Sequence, residues 1–322
     1  VNATVKDSNG NPVRSGQSVS LTVPGTGGNS DSPDDTDDNG LAVFILTSST
    51  QAGLYNYDAR VGSATSGQKQ VEFLADSLDS IVMSVTGATS ILANASATTT
   101  LRATAYDSSL NPVEGAVITL DIPGDGGTAV TNPVTSDSSG FSTFTLTSST
   151  NASDVGSPYQ YKGISGAITS GNTGDVEFIP LAPDSVTLAV TGATSIVADG
   201  STQTTFNATV KDSNGNLVRS GQSVSLTVPG TGGDSDSPDD TDDNGLAVFI
   251  LTSSTQAGLY NYDARVGSAT SAQKQVEFLA DSLDSIVMSV TGATSILANA
   301  SATTFLMIRR PPRSTHSLNH HS

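Results

Sequence analysis

The sequence predicts an all-β protein made of tandem antiparallel β-sandwich modules. Two observations lead to this prediction: the chain repeats itself at intervals of about a hundred residues, and short runs of alternating apolar and polar residues recur within each repeat. Turn sequences such as "PGTGG" and "DDNG" separate these runs. No stretch has helical periodicity. About seven short strands per repeat, each with one apolar face, are typical of two sheets packed face to face.

The repeat sets the predicted domain organisation. Residues 2–99 match residues 207–304 with three differences over 98 positions, and a diverged copy lies between them. The predicted segments are a module that lacks its first strand (1–77), complete modules at 78–181 and 182–281, the opening strand of a further module (282–304), and a non-native or disordered tail (305–322). Because the chain opens at Val1 in the middle of the pattern, we expect an internal fragment of a longer protein.

Alternation within each module assigns the residues that face its core. In "GLAVFILTSST", Ala247, Phe249 and Leu251 share one face. The other predicted inward sets are Ile81, Met83 and Val85; Val224, Leu226 and Val228; Tyr260, Tyr262, Ala264 and Val266; and Val276 with Phe278. Since the chain has no cysteine, no disulfide supports these cores, and each module has to fold by packing alone.

Composition argues against several classes of function. The net charge of −18 repels phosphate backbones and anionic lipids, which argues against nucleic-acid and membrane-surface partners. No apolar run approaches the roughly 18–20 residues that span a bilayer, so we expect no membrane insertion of this segment. The three histidines, His316, His320 and His321, lie outside the repeats. Without cysteine or histidine in the modules, the sequence predicts neither nucleophilic catalysis nor a required cofactor.

Three motifs of the repeat resemble a known family. "ATVKDSNGNPVRSGQSVSLTV", followed by "TDDNGLAVFILTSSTQAG" and a Tyr-rich strand, is similar to the bacterial Ig-like domain of the invasin and intimin type. In the third module the motifs fall at Thr209–Val218, Thr241–Ala247 and Thr252–Gly258. The middle copy matches less well, with Leu110 in place of a glycine. The resemblance implies tandem Ig-like sandwiches in the extracellular part of a bacterial surface adhesin, anchored in the outer membrane through parts absent from this chain.

The acidic stretches 29–40 and 234–245 are candidate calcium sites. Each contains the first half of the D-x-[DN]-x-[DN]-G pattern of calcium loops, but the twelfth position is Leu46 or Leu251 instead of glutamate. The candidate ligands are Asp35, Asp37, Asn39, Asp236, Asp239, Asp240, Asp242 and Asn244. A solvated turn in front of a strand is the alternative interpretation. The corresponding stretch of the middle module, 124–140, has two aspartates, so the fold itself does not require a cation there.

Two functional hypotheses follow. The first is a non-enzymatic structural spacer, or stalk, whose partners are the neighbouring Ig-like modules; short joints such as 178–188, with Pro180 and Pro183, favour it. The second is a binding module whose loops engage a glycan or a host-surface protein, with calcium as an aid. In the turn at 211–216, Asp212 and Asn214 are expected to cap the backbone and not to bind a ligand.

The two ends of the chain suggest self-association. A module without its opening strand exposes a sheet edge, and 282–304 supplies such a strand without a module, so we expect head-to-tail strand exchange between chains. The tail sequence "FLMIRRPPRST" resembles translated adapter read-through, with a genuine basic tail for an anionic partner as the alternative.

Overall fold

A computed structural model describes residues 1–283, 285–296, 298, 303–304 and 306–309. Every regular element in these residues is a β-strand. None of the described residues forms a helix that is long and apolar enough to cross a membrane. The chain divides into two compact units, residues 1–179 and 180–322. Unit 1 contains the first and middle modules, and unit 2 contains the third module and the strands that follow it.

The strands of the three modules have the following bounds. The first module comprises β1 (Asn2–Thr4), β2 (Ser18–Thr22), β3 (Asn29–Ser30), β4 (Asp34–Asp35), β5 (Leu41–Val43), β6 (Leu46–Thr47), β7 (Gly53–Val61), β8 (Ala64–Thr65) and β9 (Lys69–Phe73). The middle module comprises β10 (Ser80–Val85), β11 (Ser90–Leu92), β12 (Thr98–Tyr106), β13 (Val117–Asp121), β14 (Thr128–Ala129), β15 (Val134–Thr135), β16 (Phe141–Thr147), β17 (Tyr159–Ser165), β18 (Ile168–Thr169) and β19 (Gly174–Ile179). The third module comprises β20 (Ser185–Val190), β21 (Ser195–Val197), β22 (Gln203–Lys211), β23 (Ser223–Thr227), β24 (Asp234–Ser235), β25 (Asp239–Asp240), β26 (Leu246–Thr252), β27 (Gly258–Val266), β28 (Ala269–Thr270) and β29 (Lys274–Leu279).

The two complete modules share one topology of two sheets. In the middle module the sheets have the orders β10-β12-β16-β14 and β11-β19-β17-β13-β15, with β18 beside β17. The third module repeats both orders with β20-β22-β26-β24 and β21-β29-β27-β23-β25. The ladders are antiparallel except β11 with β19 and β21 with β29, which are parallel and were not predicted. The opening segment of a module therefore contributes one strand to each sheet.

The cores lie between the paired sheets and follow the predicted alternation. On β26, Ala247, Phe249 and Leu251 are fully buried, whereas Val248 and Ile250 between them are exposed. Also buried as predicted are Ile81, Met83, Val224, Leu226, Tyr262, Ala264, Val266, Val276 and Phe278, while Val85, Val228 and Tyr260 pack against the cores as partly buried residues. Each large apolar side chain in such a position contributes about 1.5–3 kcal/mol to folding.

A buried tyrosine ties the loop before β24 to the third core. The Tyr262 hydroxyl donates a hydrogen bond of 2.6 Å to the carbonyl oxygen of Gly232, and its ring lies 5.1 Å from that of Phe206. The next residue, Gly233, has φ +95°, and a Cβ there would overlap the carbonyl oxygen of Thr252, so the loop requires glycine at this point. Tyr57 and Tyr161 donate the equivalent bonds to Gly27 and Gly126 in the other modules.

The last strands differ from the predicted tail. Residues 306–309 form β31 (Leu306–Arg309), which pairs with β30 (Val287–Val290). The pair Met288–Ile308 repeats the middle-module pair Met83–Ala103, which is 205 residues earlier. Four residues of the segment predicted to be a non-native or disordered tail therefore lie in a strand, which pairs with the edge of β30. Residues 305 and 310–322, including the three histidines, lie outside the described residues.

The Tyr262 hydrogen bond should contribute measurably to stability. Tyr262→Phe leaves the buried Gly232 carbonyl without its donor, so we expect the free energy of unfolding to fall by about 1–3 kcal/mol. Burial raises the pKa of Tyr262 in the folded state. The stabilisation from this hydrogen bond is therefore fully present below the pKa of an unfolded tyrosine, about 10, and is lost as the pH rises through the higher pKa of the folded state.

Urea unfolding of the chain followed by circular dichroism, at pH 8 and above pH 10, would measure both effects. Tyr260→Phe is the matched control, because the Tyr260 hydroxyl donates to the carbonyl of Gln256 at an exposed position. Equal losses from the two substitutions would contradict the role assigned to Tyr262.

Candidate functional site

The acidic loop of the third module folds into a capped turn. Asp242 Oδ1 accepts hydrogen bonds from the backbone N–H groups of Asn244 (2.8 Å) and Leu246 (2.9 Å). Asn244 also donates from its side-chain amide to Asp242 Oδ2 at 3.3 Å. These bonds, the one from Leu246 above all, lower the pKa of Asp242. Asp242 and Asn244 therefore hold the turn that leads into β26, as the alternative interpretation of this stretch predicted.

Two further carboxylates of the loop bind the edge of β26. Asp239 Oδ2 accepts from the N–H of Val248 at 3.0 Å, and Asp236 Oδ1 accepts from the N–H of Ile250 at 2.9 Å. β24 pairs with β26 only at Leu251 and Thr252, so the carboxylates satisfy the N–H groups beyond the end of that ladder. An unpaired strand edge is a template for pairing with another chain. Asp236 and Asp239 therefore protect this edge.

The first module repeats these contacts, and the middle module keeps only the turn. Asp37 caps its turn, and Asp34 and Asp31 accept from the N–H groups of Val43 (2.8 Å) and Ile45 (2.9 Å). In the middle module, Asp137 caps the turn through Ser139 and Phe141. The first and third modules, which are nearly identical in sequence, are called the twin modules; Thr131 and Val134 of the middle module stand where the twin modules have the edge-binding aspartates. The turn therefore belongs to the fold in general, and the edge protection belongs to the twin modules.

The predicted calcium ligands are divided between these structural contacts. Asp37, Asn39, Asp242 and Asn244 lie in the turns, Asp236 and Asp239 bind the β26 edge, and Asp35 and Asp240 lie on β4 and β25, whose main chains pair with Ser18 and Ser223. Within the described residues, no three His, Asp or Glu side chains are grouped so that they could hold a metal ion. Calcium binding stays a prediction. It requires the aspartates of the loop to release the backbone N–H groups whose hydrogen bonds they accept and to bind the cation instead.

A second polar cluster joins the first two modules of unit 1. Asp107, which is 2% exposed, accepts from the N–H of Ser109 (2.9 Å) and from both the N–H (2.8 Å) and the side-chain amide (2.7 Å) of Asn111. Its Oδ2 also accepts from the N–H of Asp76, in the segment between the modules, at 3.0 Å. These hydrogen bonds, with the side-chain bond from Asn111 the largest cause, lower the pKa of Asp107 to about 2.

Asn111 extends this cluster onto the preceding module. Its Oδ1 accepts from the N–H of Ala52 at 2.9 Å, and its Nδ2 donates to the carbonyl of Thr50 at 2.8 Å. The side-chain amide thus pairs with the main chain of the first module as a strand neighbour would. We call Asp107 and Asn111, with their partners Thr50, Ala52 and Asp76, the junction cluster. It holds the turn after β12 of the middle module against the residues before β7 of the first module and against the segment that connects the two modules.

The turn of the junction cluster recurs in the other modules. Asp212 Oδ1 accepts from the N–H groups of Asn214 and Asn216, both at 2.9 Å, which confirms Asp212 as the predicted turn cap. Its Oδ2 accepts from the N–H of Leu181, in the segment before the third module, at 2.9 Å. In the first module, Asp7 caps the same turn. The turn was predicted from the sequence, but its contact with the preceding segment was not. The Asp and Asn that the middle module retains in "DSSLN" at 107–111 were the available signal.

This turn tolerates a strained residue in the middle module. Leu110 occupies the position of Gly10 and Gly215 and adopts the same left-handed conformation, with φ 65°. A non-glycine residue there is unfavourable because its Cβ crowds the backbone. Because Asp107 and Asn111 on either side keep their hydrogen bonds, the turn holds its shape with leucine in it.

The sequence and fold are similar to those of bacterial adhesins. Residues 182–281 match the family described as "Invasin, domain 3". The inverse autotransporter adhesin YeeJ of Escherichia coli (strain K12) is 27% identical over 300 residues, which is 86% of this chain and 12% of that protein. The chain thus spans about an eighth of the length of this relative.

Two solved structures share the fold. FdeC, an Escherichia coli adhesin, superposes with a TM-score of 0.54 at 21% identity, over 87% of this chain and 91% of that one. InvD of Yersinia pseudotuberculosis superposes with a TM-score of 0.53 at 23% identity, over 71% of this chain and 68% of that one. The predicted class, tandem Ig-like β-sandwiches, is confirmed.

Removal of the edge-binding carboxylates should expose the protected amides. Because the twin modules are nearly identical, both copies are substituted in one variant: Asp31→Ala, Asp34→Ala, Asp236→Ala and Asp239→Ala. We expect amide hydrogen exchange at Val248, Ile250 and their counterparts Val43 and Ile45 to rise about tenfold, since each loses its acceptor. Mass spectrometry of the corresponding peptides measures this rate.

The matched control is Asp35→Ala with Asp240→Ala, in the same two loops, because those side chains are exposed and lie on the short strands without binding the protected amides. Unchanged exchange in the fourfold variant, or equal acceleration in the control, would contradict the edge-protecting role.

The same peptides test the calcium hypothesis. A bound cation would draw Asp236 and Asp239 away from Val248 and Ile250, so calcium should speed exchange at those two amides and slow it across the turn at 242–245. A calorimetric titration with calcium chloride measures the binding itself. Exchange that stays the same at millimolar calcium, without heat of binding, would exclude the site.

Proposed function

We propose that this chain acts as a non-enzymatic spacer. Its third module matches an invasin-type Ig-like domain, and the chain is similar over most of its length to a bacterial adhesin. In this role the chain is part of the extracellular stalk of an adhesin on the bacterial surface, which other parts of the protein anchor in the outer membrane. Its partners are then the Ig-like modules before and after it in the stalk.

The observation that supports this role best is the junction cluster. A spacer transmits force and keeps distance only when consecutive modules resist bending relative to one another. Asn111 makes two hydrogen bonds to the main chain of the first module, and Asp107 makes one to the connecting segment. Hydrogen bonds to a charged acceptor are stronger than neutral ones. With a pKa of about 2, Asp107 remains charged, and able to accept these bonds, over the whole range of ordinary environments.

The sequence of the modules also favours a mechanical role. The twin modules contain no histidine, the most frequent general base, and no cysteine, which is the most reactive of the common nucleophiles at neutral pH. The aspartates of the acidic loops accept hydrogen bonds from the backbone, and their positions in the turn and at the edge of β26 support structure. The polar side chains of these loops thus stabilise the fold, which is what a spacer requires.

Substitution of Asn111 should loosen the joint between the first two modules. Asn111→Ala removes both hydrogen bonds to the first module, so we expect the distribution of distances between the two modules to broaden. Because the chain contains no cysteine, nitroxide labels can be placed at Ser63→Cys and Lys162→Cys, and pulsed electron paramagnetic resonance measures the distribution.

Asn11→Ala is the matched control. Asn11 donates to Asp7 in the same turn of the first module, so its loss perturbs the turn and leaves the junction cluster intact. A distribution that Asn111→Ala leaves as narrow as that of the parent chain would contradict the spacer proposal. Binding of the parent chain to a glycan array would support the loop-mediated binding module instead, if that binding is lost when the four edge-binding aspartates are replaced.

A further inference from the structure

The middle and third modules share one topology but differ in the packing around one core position. Gly163 of β17 pairs with a leucine of β13, and Ala264 of β27 holds the same place opposite the equivalent leucine of β23. A Cβ added at this position of the middle module would lie 3.0 Å from Ile81 Cγ2, 3.1 Å from Met83 Sδ and 3.3 Å from Ile118 Cγ2. Because protein cores are close-packed, the middle core has no room for a methyl group there.

The third module has smaller or shorter side chains around its alanine. The strand positions of Ile81 and Ile118 are occupied there by Val186 and Val224, and each valine is one methylene group smaller. Leu188, which is shorter than methionine, stands at the third position. All of these residues are buried. Glycine among larger neighbours and alanine among smaller ones thus fill the same space in two different ways.

A pair of facing residues on β13 and β17 also differs between the modules. Asp121 lies directly opposite Lys162 in the middle module, whereas Thr227 lies opposite Asp263 in the third. Asp263 Oδ1 accepts hydrogen bonds from Thr227 Oγ1 and from Arg265 Nε, both at 3.0 Å. Opposite charges that face each other across two strands are stabilising, and like charges are destabilising. Each module therefore has its own matched pair.

The twin modules, in contrast, have interchangeable strands. Residues 18–22 and 223–227 are identical in sequence, and so are residues 53–61 and 258–266. The middle module, with its different packing, lies between the twin modules in the chain. Exchange of equivalent strands between modules is a characteristic failure in the folding of tandem repeats. In this chain such an exchange is sterically free between the twin modules and restricted with the middle one.

We propose that the middle module excludes the strands of the twin modules during folding, and so keeps identical sequences from exchanging strands with the next module along the chain. Entry of β27 into the middle module would press the methyl group of Ala264 against the side chains around the Gly163 position, and overpacking of this kind is destabilising. It would also place Asp263 opposite Asp121, where two like charges face each other.

The reverse exchange is unfavourable for a different reason. Entry of β17 into the third module would bring Gly163 to the place of Ala264 and leave a void among valine and leucine side chains. Thr227 would also lose Asp263, the acceptor of its hydrogen bond. The exclusion therefore acts in both directions. It acts on the folding chain, so it does not depend on the spacer role of the folded one.

The match between Gly163 and its neighbours is tested by amide hydrogen exchange of the peptide 159–165. Gly163→Ala should speed this exchange by about tenfold. Addition of Ile81→Val, Met83→Leu and Ile118→Val should slow it again, because these changes make the room that alanine needs. Gly171→Ala is the matched control, since a Cβ at Gly171 would meet no atom within 4 Å. Equal acceleration by the control, or no slowing in the fourfold variant, would overturn the proposed match.

Disulfide trapping measures strand exchange in the whole chain. Thr119 of β13 faces Ile164 of β17, and the counterpart of Ile164 on β27 is Arg265. The chain has no cysteine of its own, so a chain with Thr119→Cys and Arg265→Cys can be unfolded in urea, refolded under oxidation and examined by peptide mass spectrometry. We expect no more disulfide than in the same chain oxidised without unfolding. Thr119→Cys with Ile164→Cys gives the yield of correct pairing.

Exchange between the twin modules is the matched comparison. Ser20→Cys with Arg265→Cys joins the same register positions of β2 and β27, and refolding should yield this disulfide clearly above the background of the chain that was not unfolded. Equal yields at positions 119 with 265 and at positions 20 with 265 would overturn the exclusion.

Conversion of the middle module to the twin packing should remove the exclusion. The four core substitutions, together with Asp121→Thr and Lys162→Asp, give it the matched residues of the third module. In this background the disulfide between positions 119 and 265 should rise about tenfold, to the yield of the twin comparison. A yield that the conversion leaves unchanged would overturn the proposal.

Discussion

Closure of each sandwich by its opening segment is the constraint on which the rest of the structure depends. In the middle module this segment supplies β10 to one sheet and β11 to the other, so the two sheets bury their inner faces completely only when it is in place. The third module shows the result, with Phe206, Phe249 and Tyr262 fully buried between its sheets. Val210 and Ala264 are likewise fully buried in the third module, where β20 pairs with β22. Burial of apolar area, which is the main favourable contribution to folding, thus depends on one short segment.

Polar residues stabilise the turns, the strand edges and the joint between modules, which the apolar cores do not cover. The aspartates act as acceptors for the backbone in three places: Asp242 in the turn before β26, Asp239 at the edge of that strand, and Asp107 at the junction between modules. In each place a carboxylate satisfies an N–H group that lies beyond the end of a ladder. Such groups are costly when they are left without a partner. The acidic composition of the chain, which at first suggests a metal site, is in large part explained by this use.

The sequence allowed the inner faces of the strands to be predicted because the pattern that defines them is local. The alternation of Ala247, Phe249 and Leu251 depends only on the period of two residues in a strand, and the structure confirms it. The turn cap at Asp212 is local for the same reason, since its acceptor and donors lie within four residues. The edge contact of Asp236 spans 14 residues and the junction contact of Asn111 spans 59, and no periodicity in the sequence records them.

The sequence by itself determined the repeat, the all-β class and the residues of the cores, because repetition and alternation are properties of the chain alone. Only the tertiary structure decided what the acidic loops hold and how the first module meets the middle one. The physical reason is that hydrogen bonds between distant residues, and the burial of a strand against a sheet, exist only once the two sheets have come together in space.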